Sequence, residues 1–216
     1  MSGQRTLFES TVKIPFRDDR EFLHISDLYS SLCTKANEIL KVPPTEISLS
    51  MIGPIYKDPY IQFYSGKLTA YPKTTKAIFS FQSQGDHYHS LISESESKTI
   101  EKYSLKSADV LKDSRFLSDQ EVIYTGTPSN PMLRILSILP RLLFTKNFPQ
   151  FCRDYQNQAP PLPAIKIVSQ FDLNQYRLSE YTVRMDYFNS MNILKSTFLL
   201  NGKFVGCEYN KYGAVI

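Results

Sequence analysis

Two of the three histidines of this chain, His87 and His89, sit two residues apart in Asp86-His87-Tyr88-His89. On a strand, that spacing aims both imidazoles at one side. A metal centre there would need a third ligand, for which Asp86, Glu94 and Glu96 lie closest in sequence. A small metal-dependent enzyme using His87 and His89 is one reading; a polar loop with solvated histidines is the plainer one, and no metal ligand is assigned. Cys33, Cys152 and Cys207 are scattered, with no Cys-x-x-Cys pair, which excludes a disulfide framework and a thiolate metal box. Nothing local pairs any of them with His24, His87 or His89 for nucleophilic catalysis. There is no Gly-rich phosphate loop, no GxSxG elbow and no HExxH helix. The residues point away from an enzyme, and no cofactor is expected.

Other short patterns offer binding rather than catalysis. Glu94, Glu96 and Glu101 lie near Ser93, Ser95 and Ser97, an acidic setting in which a phosphate would add charge to a polar loop. Pro160-Pro161-Leu162-Pro163 suits a polyproline II ligand, and Pro128-Ser129-Asn130-Pro131 a short exposed peptide. Both also read as plain connectors. They bracket the most apolar stretch of the chain, Pro131 to Phe151.

That stretch starts like a helix, with Asn130 as cap and Pro131 at the first position. Arg134, Ser137, Arg141 and Thr145 form one narrow polar stripe, and Pro140 should kink or split the helix. Core packing of Leu142, Leu143 and Phe144 is the plainer expectation. The alternative is membrane contact, with Leu142, Leu143 and Phe144 inserting while Arg134, Arg141 and Lys146 meet lipid headgroups. The interruptions at Arg134, Pro140, Arg141 and Lys146 exclude a membrane span.

The elements that must position these residues follow from periodicity. Ser10, Val12, Ile14 and Phe16 alternate with polar partners as a strand; Ser26 caps a helix running to about 41, stopped by Pro43-Pro44. Strand patterns follow at 47–51, 60–70 and 77–81, and again at 165–167 and 181–187. Asn201-Gly202 between apolar runs is a hairpin signal. Between about 83 and 130 Ser, Glu, Lys and Asp dominate, which predicts a polar, partly mobile excursion from a single domain spanning 1–216. The expected fold class is α+β: a mainly antiparallel sheet formed from both ends of the chain, with helices at about 26–41 and 131–157. Tyr and Phe number 14 each and Trp is absent, which favours strands. Apolar residues make up 42%, enough for a core, and the net charge of +4 is not concentrated in any run. Direct sequence-specific nucleic-acid binding is therefore not expected. The polar start, Ser2-Gly3-Gln4-Arg5, carries no signal-peptide pattern, and the cysteine usage suits a reducing compartment.

Both ends of the chain resemble the folded domain of rhabdovirus matrix proteins: Thr11-Val12-Lys13 before Ser26-Asp27, then Asp186-Tyr187-Phe188-Asn189-Ser190, with Glu208 five residues before Gly213-Ala214. Together these cover roughly a quarter of the chain. The resemblance implies a non-enzymatic viral structural protein that self-associates, contacts anionic membrane and viral nucleocapsid protein, and supports virion assembly and budding. It would be found in the virion and the host cytoplasm, at the inner face of the host membrane. The chain departs from that pattern in lacking a PPxY motif, and the insertion at 83–157 has no counterpart. A soluble protein-interaction module, such as a viral accessory or host-antagonist protein, is the alternative.

Overall fold

The computed structural model describes residues 5–17, 21–105, 107–126, 132–152, 164–175 and 180–212. In chain order its elements are β1 (Arg5–Thr11), β2 (Phe16–Arg17), α1 (Ile25–Leu40), β3 (Thr45–Met51), β4 (Pro59–Ser65), β5 (Ala77–Ser83), β6 (Asp86–Glu94) and β7 (Lys102–Tyr103). There follow α2 (Ser107–Lys112), β8 (Ser114–Phe116), β9 (Glu121–Tyr124), α3 (Met132–Leu136), α4 (Leu139–Asn147) and a 3-10 turn at Pro149–Cys152. The chain closes with β10 (Ala164–Phe171), a 3-10 turn at Leu173–Gln175, β11 (Tyr181–Phe188), β12 (Ile193–Leu200) and β13 (Lys203–Lys211). The fold class is α+β and mostly antiparallel sheet.

The chain divides into two compact units: residues 1–105 with 166–172, and residues 106–165 with 173–216. In the first, the strands run in the order β1-β4-β6-β5-β3-β10, every neighbouring pair antiparallel. β2 and β7 form a separate two-stranded parallel pair. In the second, β13-β12-β11-β9-β8 is likewise antiparallel throughout.

The helix α1 forms because Leu28, Leu32 and Ala36 recur every four residues, with Tyr29 and Cys33 beside them; all five are fully buried. Each large side chain so buried contributes about 1.5–3 kcal/mol. Its cap is His24, not Ser26: the imidazole Nδ1 accepts from the Ser26 amide, and Ser26 lies inside the first turn. Lys41, in the left-handed region with φ 58°, ends the helix by donating its amide to the Asn37 carbonyl.

The Ser- and Glu-rich stretch after residue 83 contains a core strand, β6, in which His89, Ser90, Leu91 and Ile92 are all buried. A tight turn admits it. Gln84 and Gly85, with φ 53° and 86°, adopt the conformation that joins twisted antiparallel strands in two residues. Asn201 and Gly202, with φ 51° and 74°, do the same between β12 and β13. Beyond β6, Ser97 and Thr99 fold back over Asp58: the Ser97 hydroxyl donates to its carboxylate at 3.0 Å, and the Thr99 amide at 2.9 Å.

Over 132–152 the apolar stretch is two short helices rather than one long one. The break falls at Ser137–Ile138, and Pro140 occupies the first turn of α4, where its missing amide leaves no bond unmade. Residues 127–131 and 153–163 lie outside the described residues.

Candidate active site at the start of the first helix

In the first unit, four segments converge on the N-terminus of α1. The β2–β7 pairing sets Arg17 opposite Tyr103, and the Phe16 amide donates to the Glu101 carbonyl. The Leu23 amide donates to the Ile55 carbonyl at 2.7 Å, fixing the approach to the helix from the other side. The result is a group of buried polar side chains: Arg17, His24, Ser26 and Asp27. Asp27 is only 1% exposed, a setting in which an ionisable group demands partners.

Those partners are present. Both carboxylate oxygens of Asp27 accept from the Tyr103 hydroxyl, at 2.8 and 2.7 Å. Asp27 lies in the first turn, where the helix dipole favours negative charge. His24 Nδ1 accepts from the Ser26 amide at 3.3 Å and lies 2.7 Å from the Ser26 hydroxyl. That hydrogen-bond pattern assigns the proton of neutral His24 to Nε2. Arg17 Nη2 donates to the Leu105 carbonyl at 3.5 Å. A carboxylate, an imidazole with a set tautomer and a phenol thus meet at one helix end, the side chains that acid–base catalysis uses.

The sequence singled out Ser26 and Asp27 only as a helix start and His24 only as a potential partner of cysteine. Arg17 and Tyr103 were missed, since nothing local links residues 86 positions apart that meet through one two-residue strand pair. Cys33 gives no nucleophile. Burial, reinforced by Asp172, pushes its thiol well above the ordinary value.

The second unit holds its own polar groups, one between β12 and β13 and one between β12 and β11, on opposite faces of β12. On one face Glu208, fully buried, accepts from Asn210 Nδ2 at 2.6 Å and stands opposite Ser196. On the other, burial would raise the Asp186 carboxyl, but hydrogen bonds from Thr197, Lys195 and Arg184 outweigh it and hold it below the usual carboxylate value.

The side chains expected to meet a membrane lie in this unit. Leu143 and Phe144 are fully buried, and the Phe144 ring packs against Phe148, Phe151, Phe188 and Tyr212. Arg134, Arg141 and Leu142 are half-buried. Lys146 pairs with Asp119 at 3.1 Å and lies over the Phe116 ring. No helix among the described residues is long and apolar enough to cross a membrane. Pro128, Ser129, Asn130, Pro131, Pro160, Pro161, Leu162 and Pro163 lie outside the described residues.

His87 and His89 are not brought together with their suggested partners. His87 and Asp86 are exposed, whereas His89 is buried, stacked on Tyr64 and donating Nδ1–H to the Gly66 carbonyl at 2.9 Å. Glu94 accepts from the Tyr56 amide, and Glu96 faces Lys57. Among the described residues no three potential ligands cluster. The metal-enzyme alternative is set aside accordingly.

No family profile matches the chain, and no curated protein matches it in sequence. Solved structures do match. A pyran synthase domain from module nine of the sorangicin pathway aligns over 100% of this chain and 96% of its own, with TM-score 0.50 and 10% identity. A structure assigned as a thioesterase II from Thermobifida fusca YX aligns over 95% and 93%, with TM-score 0.51 and 10% identity. The dehydratase domain of PpsC from Mycobacterium tuberculosis, solved with C12:1-CoA, aligns over 98% and 94%, with TM-score 0.50 and 9% identity. These neighbours are hot dog fold domains, and the mostly antiparallel sheet of this chain is consistent with that fold.

The hot dog fold overturns the matrix-protein resemblance, whose short end motifs are strand and helix-start patterns that many α+β chains share. The viral structural function, the roles in virion assembly and budding, and the location at the inner face of a host membrane fall with it. The soluble accessory or host-antagonist alternative falls too. The expectation of a non-enzyme is corrected by the same finding, since the matched structures named above are a synthase domain, a structure assigned as a thioesterase and a dehydratase domain.

Proposed function

We propose that the chain is an enzyme acting on acyl thioesters, and that it hydrolyses them at the N-terminus of α1. The observation that carries the reading is a buried carboxylate, Asp27, and a buried imidazole, His24, at one end of one helix. The fold, shared with thioesterase and dehydratase domains and with one bound to a CoA thioester, supports that substrate class.

In this reading Asp27, oriented by Tyr103, accepts a proton from water, whose oxygen attacks the carbonyl carbon. The His24 Nε2–H and the positive end of α1 stabilise the charge growing on the carbonyl oxygen. The carbon–sulfur bond then breaks, the sulfur takes up the proton, and a carboxylic acid and a thiol leave. Ser26 and Tyr103 are positioning residues: one sets the His24 tautomer, the other the carboxylate.

A histidine and an aspartate so placed also satisfy the acid–base needs of dehydration of a β-hydroxyacyl thioester, which is the second reading. One assay separates the two. Acyl-CoAs of short, medium and long chain, plain and β-hydroxylated, are incubated with the protein while free thiol and carbon–carbon double bonds are followed. Thiol release that falls about 10²-fold in Asp27→Asn is expected. Double-bond formation without thiol release moves the assignment to dehydration; neither product from any substrate overturns the enzyme reading.

A further inference from the structure

Past β6 the chain leaves the sheet and runs as a strap, residues 95–105, to the start of α1. At its far end Tyr103 meets Asp27, and the Leu105 carbonyl accepts from Arg17 Nη2. The strand pair that carries Tyr103 is two residues long, β7 against β2, extended by the Phe16 amide bonded to the Glu101 carbonyl. A pair of that length is marginal by itself. Apolar burial adds little just ahead of it, where Ile100 is 92% exposed.

The strap has a second fastening, at Asp58. This residue stands immediately before β4, whose Pro59 pairs with Glu94 and accepts from the Val12 amide, so it is fixed to the sheet. The Asp58 amide donates to the Ser97 carbonyl and its carbonyl accepts from the Ser95 amide, both at 2.9 Å. Its carboxylate accepts from the Ser97 hydroxyl at 3.0 Å and from the Thr99 amide at 2.9 Å. A carboxylate in a residue 1% exposed has to satisfy its oxygens within the protein, and both of these partners belong to the strap. Tyr103 follows Thr99 by four residues, so the fastening point and the phenol share one short run of chain.

We propose that Asp58 is a positioning residue for the site at α1, acting through the strap to hold the Tyr103 hydroxyl on the Asp27 carboxylate. Misplacement by about 1 Å at a reacting centre can cost about 10²-fold in rate, which makes a second anchor worth having. This rests on the acyl-thioester reading above and adds to it a residue at the far end of the strap on which turnover depends.

The test is steady-state turnover of the acyl-CoA series by wild type, Asp58→Ala, Asp58→Asn, Tyr103→Phe and the double variant. Asp58→Ala should lower kcat about tenfold and leave KM within about twofold, because the strap governs proton transfer rather than substrate contact. Asp58→Asn should restore the rate: its oxygen still accepts from the Thr99 amide, and its amide can donate to the Ser97 hydroxyl. In Tyr103→Phe, which already lacks the phenol, adding Asp58→Ala should change kcat by no more than about twofold. A merely structural residue would instead multiply its loss onto that of Tyr103→Phe. Unchanged kcat in Asp58→Ala, losses that multiply in the double variant, or an Asp58→Asn as slow as Asp58→Ala overturns the assignment. A faster Asp58→Ala overturns it too and makes the strap a cover over Asp27. Should Asp58→Ala fail to fold, Ser97→Ala, at an exposed position, removes one of the two side-chain ties and carries the same comparison. A wild type that turns over no acyl-CoA removes the acyl-thioester reading and this proposal together; with an active wild type, the other outcomes remove Asp58 alone.

Discussion

Asp27 and Tyr103 are 76 residues apart in sequence, yet one phenolic hydroxyl serves both oxygens of the buried carboxylate. A hydrogen bond to a charged group contributes about 1.5–3 kcal/mol, and the loss is larger when a buried charge is left behind. Tyr103→Phe should therefore lower the unfolding free energy by about that amount in a urea titration. It should also reduce thioester turnover by more than Asn replacement of an exposed residue such as Lys102 would. A Tyr103→Phe protein with wild-type stability would mean that Asp27 is held in place by other groups.

Leu143 gives a second test. It is fully buried in the second unit, beside the rings gathered on Phe144. Leu143→Ala should cost about 2–5 kcal/mol, and Leu143→Asp should prevent folding at ordinary temperature because it buries an unpaired charge. Circular dichroism melts of both variants provide the reading. A folded, stable Leu143→Asp would show that the side chain faces outward.

His89 predicts a dependence on pH. Burial lowers its pKa from the ordinary 6.5, against the smaller opposing effect of its bond to the Gly66 carbonyl. The unfolded chain therefore takes up the proton at a higher pH than the folded one. The contribution of neutral His89 is complete above 6.5 and is lost as the pH falls through its folded-state value. Guanidinium titrations at roughly neutral pH and roughly pH 5 should show a loss of stability for wild type that is smaller in His89→Asn, whose amide can still donate to Gly66. Equal losses in both proteins would assign the acid sensitivity elsewhere.

Much of the sheet was legible because period-two alternation at Ala77–Phe81 and Tyr181–Met185 survives in a strand with one buried face. β6 was not, because Ser90 and His89 are polar residues placed inside, and they read as loop. After Pro131 the sequence predicts one helical region kinked or split at Pro140; the structure has two helices, with the break at Ser137–Ile138 and Pro140 in the first turn of the second, a position it tolerates. The site at α1 was half visible. Ser26 and Asp27 announced a helix start, but their chemistry comes from His24 as cap and from Tyr103, delivered by a strand pair of two residues. The fold relationship was invisible at 9–10% identity, where only backbone geometry remains in common.

The most direct test of the account is the kcat/KM for acyl-CoA hydrolysis by His24→Asn. Asparagine is a preferred helix cap, so it keeps the structural role of His24 while removing the imidazole. A fall of about 10²-fold or more is expected, with the melting temperature of α1's unit unchanged. Unchanged turnover in a protein of unchanged stability would reduce His24 to a helix cap and contradict the assignment of the active site.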